Sequence, residues 1–147
     1  MKILIINGPN LNFLGIREPD IYGKRTYLDL VKKLEDYAAK INIEIKIEQS
    51  NSEGSIIDFL HESYFNNFDG VIINPAAYTH YSIAIRDAIS SITLPTVEVH
   101  LTDITKREPF RQVDVVKDVC IETFMGKGFD SYIEAIDFLI TYVNNKK

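Results

Sequence analysis

Glu98 and His100 stand two residues apart in the run Thr96-Val-Glu-Val-His100, and in an extended strand that spacing turns both side chains to one face. A carboxylate beside an imidazole holds the ring in one tautomer and keeps it competent to hand over a proton. A second pair lies near the start of the chain, where Arg17 precedes Tyr22 by five residues. An unperturbed phenol titrates near ~10, too high for a base at neutral pH. A guanidinium close by favours the charged phenolate and brings that group into use. These residue types suit proton transfer: an acid with an orienting carboxylate, and a base with its own cation. Of the three histidines, His80 and His100 lie just beyond strand-like runs, whereas His61 falls mid-helix in a polar neighbourhood and reads as a surface residue.

Other chemistries fit less well. His80, His100 and Glu98 would make a partial zinc set, but no obvious third ligand stands on a neighbouring loop, so no metal is expected. Neither G-x-G-x-x-G nor G-x-x-x-x-G-K-S/T occurs, which removes the usual support for dinucleotide or triphosphate binding. Gly126-Lys-Gly128 is a weak phosphate-loop match and reads better as a tight turn. Cys120 sits in a strand pattern and reads as a core residue.

The elements that must position these groups follow from apolar periodicity. Ile3–Ile6 reads as a buried strand, and Ile43, Ile45 and Ile47 alternate as on an edge strand. Gly70–Asn74, Thr96–His100 and Val119–Phe124 supply three more strands. Between them run helical patterns: Tyr27 to Ile41 behind a Thr26 N-cap, residues 53–66, residues 82–92, and a last helix opened by a Ser131–Glu134 capping box. Five β-α units in one domain, residues 1–147, predict an α/β, flavodoxin-like, doubly wound parallel sheet with strand order 2-1-3-4-5 and helices on both faces. Ligands of such sheets bind beyond the carboxyl ends of the strands at the switch point, here between the first and third strands.

Three segments follow the first, third and fourth strands: Asn7–Gly23, Asn74–His80 and His100–Arg111. Five of the twelve glycines and prolines crowd into residues 8–23, and a long irregular segment of that kind is a functional candidate. The chain has 147 residues and a net charge of −5, which disfavours a non-specific nucleic-acid binder. Yet residues 16–25 and 100–112 together carry +2 while the remainder carries −7, so a positive rim for a small anion, a carboxylate or phosphate, is expected on an acidic protein. The apolar run after Met1-Lys2 is too short for a signal peptide or a membrane span, and one unpaired cysteine suits a reducing compartment. A soluble, cytoplasmic protein without membrane partners is the expectation. A flavodoxin-like binding or receiver module without catalysis is the alternative, although Asn7 and Asn74 stand where a receiver would carry aspartates.

The run NGPNLNFLGIREPDIYG resembles the signature of type II 3-dehydroquinate dehydratases, and NPAAYTHYSIAIRDA and VEVHLTDITKREPFR resemble that family's second and third motifs in order and spacing. The likeness extends along essentially the whole chain. It implies a lyase of the shikimate pathway that converts 3-dehydroquinate to 3-dehydroshikimate and water with neither metal nor organic cofactor. By that resemblance Tyr22 is the base, Arg17 its activating cation, Asn10 the enolate stabiliser acting through a water, and His100 the acid oriented by Glu98. Asn74, His80, Leu101, Thr102 and Arg111 map to substrate binding, and Asp87 to a residue contributed from a neighbouring subunit of a dodecamer built as a tetramer of trimers. The chain departs from the family pattern in Thr102, where serine is commoner, and in Gln112-Val-Asp114 and Lys117, where serines are frequent.

Overall fold

Alternation along the first strand decides the layering. In the computed structural model, which describes residues 1–147, β1 (Lys2–Asn7) sends Ile3 and Ile5 to one face and Leu4 and Ile6 to the other, all fully or almost fully buried. β3 (Gly70–Asn74) repeats the pattern, with Ile72 on the first face and Val71 and Ile73 on the second. The first face is covered by α2 (Tyr27–Lys40), through Leu30 and Leu34, and by α5 (Asp130–Asn145), through Tyr132, Ile136 and Leu139. The second is covered by α3 (Glu53–Phe65) and α4 (Ile83–Ile92), through Ile56, Leu60, Ile85 and Ile89. Each fully buried Ile or Leu contributes roughly 1.5–3 kcal/mol relative to its exposed state. Two cores therefore clamp the sheet from opposite sides.

With β2 (Glu44–Gln49), β4 (Thr96–His100) and β5 (Glu122–Met125), the sheet is parallel throughout and ordered β2-β1-β3-β4-β5. β2 is the edge strand its alternation predicted. The expected N-cap is also present: Thr26 Oγ1 accepts from the Asp29 N–H, and the Asp29 carboxylate accepts from the Thr26 N–H.

Two expectations are corrected. β5 begins at Glu122, so Cys120 precedes the strand and is only partly buried, against the second core. The cause is Asp114, whose Oδ1 accepts the N–H groups of Val116 and Lys117 and winds the chain into a 3-10 turn at Lys117–Val119 before it can pair. The last helix starts at Asp130, and Ser131 is not its cap. Ser131 Oγ instead accepts from the Lys127 N–H, and Glu134 takes the Lys127 ammonium at 2.5 Å, so both side chains secure the turn that precedes the helix.

Candidate active site

The site begins where β1 and β3 end side by side, with Asn7 paired to Asn74 in register. Both asparagines are buried and bonded to a phenol from α5: Tyr132 donates to Asn7 Oδ1 at 2.6 Å and accepts from Asn74 Nδ2 at 2.9 Å. Burial pushes the Tyr132 phenol up, so it stays a neutral donor. Beyond Asn7 the chain passes very close to the β3 exit. A Cβ at Gly8 would stand 2.6 Å from the Pro75 carbonyl oxygen, and the Gly8 N–H donates to Asn74 O at 2.8 Å. Only glycine fits this crossing, which starts the loop that carries the proposed base.

That loop is largely folded rather than irregular. After a 3-10 turn at Leu11–Phe13 it forms α1 (Pro19–Tyr22), with Pro at the first helical position. α1 presents Tyr22 half-buried, and the Arg17 guanidinium donates to its hydroxyl at 3.3 Å and lies 4.6 Å from the ring centroid. Glu18 shares the same guanidinium nitrogen at 3.1 Å. A second cation, Arg107, stands 5.2 Å from the Tyr22 ring centroid.

The acid side of the site is buried. Glu98 is wholly inaccessible and His100 nearly so, with His100 Nε2 at 2.5 Å from Glu98 Oε2. Thr123 of β5 donates to the other Glu98 oxygen at 3.3 Å. Burial raises the Glu98 carboxyl, opposed by the adjacent Asp114 carboxyl, the Thr123 hydroxyl and the Lys117 charge. Burial also depresses His100 to about 4, with the Asp114 charge pulling the other way. The imidazole of the empty site is therefore neutral at pH 7. Asp114 completes the cluster, since one ligand atom from each of Glu98, His100 and Asp114 lies within 4.8 Å of the others. The sequence reading found no further carboxylate or imidazole beside Glu98 and His100, and this is corrected: Asp114 stands there.

These groups open into one cavity of about 220 Å³, lined among others by Asn10, Arg17, Tyr22, Asn74, His80, His100, Leu101, Thr102, Arg107 and Arg111. His80 Nδ1 lies 2.7 Å from the Val113 carbonyl; as donor there, it leaves Nε2 for a ligand. Arg111 is braced by Glu108 through Nε. Asn10 is in the left-handed backbone region and donates its N–H to Asn51 Oδ1 at 3.0 Å. All the predicted site residues line this cavity except Glu98, packed behind His100, and Asp87, which is exposed on α4 away from it. Sequence reasoning overlooked three residues. Arg107 was counted in the charged rim without a role, Tyr132 was not singled out at all, and Asp114 was noted only as a departure from a pattern.

Three arginines around a small polar cavity suit an anionic ligand, and the phenol–guanidinium and imidazole–carboxylate pairs suit removal of one proton and delivery of another. Fold and site together define a small doubly wound α/β protein with a phenol–guanidinium and an imidazole–carboxylate pair at the switch point of its sheet. A sequence model of the family described as dehydroquinase class II matches residues 1–140. A 3-dehydroquinate dehydratase from Clostridium acetobutylicum is 56% identical over 139 residues, covering 95% of this chain and 96% of that one. A type II dehydroquinase crystal structure from Butyrivibrio crossotus superposes with a TM-score of 0.94 at 53% identity, covering 95% of this chain and 97% of its own. A 3-dehydroquinate dehydratase-like protein of known structure from Bifidobacterium longum superposes at 0.71 with 26% identity over 97% of this chain and 98% of its own. The chain belongs to the class II dehydroquinase family.

Proposed function

We propose that this chain is a type II 3-dehydroquinate dehydratase of the shikimate pathway, eliminating water from 3-dehydroquinate to give 3-dehydroshikimate. The observation that carries the reading is the convergence of Tyr22, held by Arg17, and His100, held by Glu98, on one arginine-lined cavity in a chain of this family. The Arg17 guanidinium donates to the Tyr22 hydroxyl, so a positive charge faces the oxygen that takes the substrate proton. The phenolate removes the proton alpha to the ketone, and negative charge gathers on the carbonyl oxygen. Asn10, through a water, stabilises that enolate. Expulsion of the hydroxyl beta to the ketone follows, with His100 giving the departing oxygen its proton. Arg111, His80, Asn74 and the Leu101-Thr102 segment bind the carboxylate and hydroxyls. Closure of residues 8–23 over the substrate would exclude water and strengthen the Arg17–Tyr22 interaction.

A neighbouring subunit supplies Asp87 in this reading, within a dodecamer built as a tetramer of trimers. Exposure of Asp87 outside its own cavity supports it. No helix is long and apolar enough to cross a membrane, and the single unpaired cysteine supports a cytoplasmic setting.

The direct test mixes purified protein with 3-dehydroquinate and follows the conjugated enone of the product in the ultraviolet. Wild type should turn over, and Tyr22→Phe should lose at least about 10²-fold in kcat with binding largely kept, because only the proton acceptor is gone. A wild-type protein that binds 3-dehydroquinate without any absorbance rise would return the chain to a binding role.

A further inference from the structure

The carboxylates behind His100 are one more than its orientation requires. Glu98 alone holds Nε2. Asp114 arrives from the loop between β4 and β5, and its two oxygens have different fates. Oδ1 accepts the N–H groups of Val116 and Lys117, both at 3.0 Å, which fixes the carboxyl in place. Oδ2 is buried and meets no donor. An ionised Asp114 would therefore leave a charged oxygen unsatisfied on a carboxylate that comes within 4.8 Å of Glu98, itself wholly buried. Such an arrangement is costly, and two carboxylates in one buried site relieve it by sharing a proton. With a proton on Oδ2, the orphaned acceptor becomes a donor to Glu98.

We propose that Asp114 shares one proton with Glu98, and that this pair reprotonates His100 as the ring gives its other proton to the leaving hydroxyl. The inference rests on the dehydration proposed above. In the elimination, the Nδ1–H bond of neutral His100 breaks and its proton goes to the departing oxygen, which leaves with the C–O electron pair as water. Nε2 takes the proton of the carboxyl pair across the 2.5 Å contact. The ring begins and ends neutral, while the pair passes from one negative charge to two. After product leaves, Nδ1 takes a proton from solvent, Nε2 returns its proton to the carboxyl pair and Tyr22 releases the one it took from substrate, so the count closes. Asp114 acts through Glu98 and never touches substrate; it is a positioning residue and proton donor of the second rank.

The groups facing this pair are few. From β4 come Glu98 and His100, and from β5 the Thr123 hydroxyl. The following turn brings Lys117 and Asp118, both exposed, with Asp118 held by Arg86. Cys120 stays a neutral thiol, because burial pushes it up and the nearby carboxylates add to the shift. None of these supplies a buried positive charge to replace the shared proton. Consistently, burial and then Glu98 push Asp114 up to about 7. A zinc ion is the competing occupant. Tetrahedral ligands at bond lengths of about 2.0–2.2 Å lie about 3.3 Å apart, whereas Nε2 and Oε2 approach to 2.5 Å, which is room for a proton and not for an ion.

Asp114→Asn tests the role, because asparagine keeps the shape and can donate an N–H to Glu98 but holds no transferable proton. The expected result is a kcat at neutral pH reduced at least about tenfold, a KM within about threefold, and displacement of the kinetic ionisation near pH 7. Wild-type kcat with an unchanged pH profile would refute the relay. Infrared spectra of the substrate-free wild type should also show a protonated-carboxyl band that titrates away as pH rises through about 7, and its absence would refute the shared proton even if the variant failed to fold. This band needs no substrate, so it separates the inference from the dehydratase reading, which the wild-type turnover assay decides. Loss of activity on chelation, with recovery on added zinc, would assign the cluster to a metal instead.

Discussion

Protons held in the cluster behind His100 should make themselves felt in the stability of the whole chain. Asp114, pushed up to about 7, binds its proton more tightly folded than unfolded. Its contribution to stability is full below the unfolded value of ~3.9 and is lost as pH rises towards about 7. His100, depressed to about 4, acts in the opposite sense. Its contribution is full above the unfolded value of ~6.5 and is lost as pH falls towards about 4. The two offset one another in mild acid, and Asp114→Asn removes only the first. Acidification from about pH 7 to about pH 4.5 should therefore lower the melting temperature of the variant relative to wild type. A gap that stays constant over that range, measured by calorimetry, would mean that Asp114 titrates as an ordinary exposed carboxylate. The same residue marks the limit of reading chemistry from sequence. Glu98 and His100 were legible because alternation on a strand puts them on one face, and Arg17 with Tyr22 because one loop carries both. Asp114 lies beyond two 3-10 turns, at Ile104–Lys106 and Pro109–Gln112, whose combined path no local pattern specifies.

Elements whose periodicity is set by burial were the legible ones. β1 and β3 are apolar on both faces because helices cover both faces, and the helical stripes of α2, α3 and α4 match the sides on which they pack. Errors fell where a side chain spent its hydrogen bonds elsewhere than its local pattern suggested. Ser131 secures the turn at Lys127 rather than capping α5, and Asp114 holds two N–H groups that delay β5. The close passage of Gly8 over the β3 exit offers the sharpest test at this scale, because the loop bearing Tyr22 departs from it. Gly8→Ala would drive a methyl group to 2.6 Å from the Pro75 oxygen and 2.8 Å from its carbonyl carbon, both backbone atoms held by the β3 exit. Such overpacking costs about 1–3 kcal/mol. Denaturant unfolding should register that loss, and kcat should fall further than the folded fraction explains, since the displaced backbone carries Asn10 and Arg17. A variant with wild-type stability and turnover would show that the two chain segments can part at no cost.

At the scale of the whole molecule, charge and surface point in different directions and both bear on assembly. Arg17, Arg107 and Arg111 gather at the cavity of a chain with net charge −5, so an anion is attracted to one mouth of an otherwise repelling body. Asp87 lies outside that mouth on the exposed side of α4, four residues from Ile83, which is 55% exposed, with Tyr81 just before the helix at 64%. Residues four apart share a helix face. An acid flanked by uncovered apolar side chains suits contact with a second copy better than contact with water. If Asp87 completes a neighbour's site, then Asp87→Ala and His100→Ala should each be poorly active alone yet complement one another when unfolded together and refolded as mixed oligomers. In a random equal mixture, about a quarter of the sites would join an intact His100 on one chain to an intact Asp87 on the next across a head-to-tail interface. Turnover near that fraction of wild type, with light scattering confirming assembly, would place Asp87 in trans. Activity no greater than the sum of the two variants refolded separately would confine each site to its own chain and leave the α4 face without a catalytic reason to be covered.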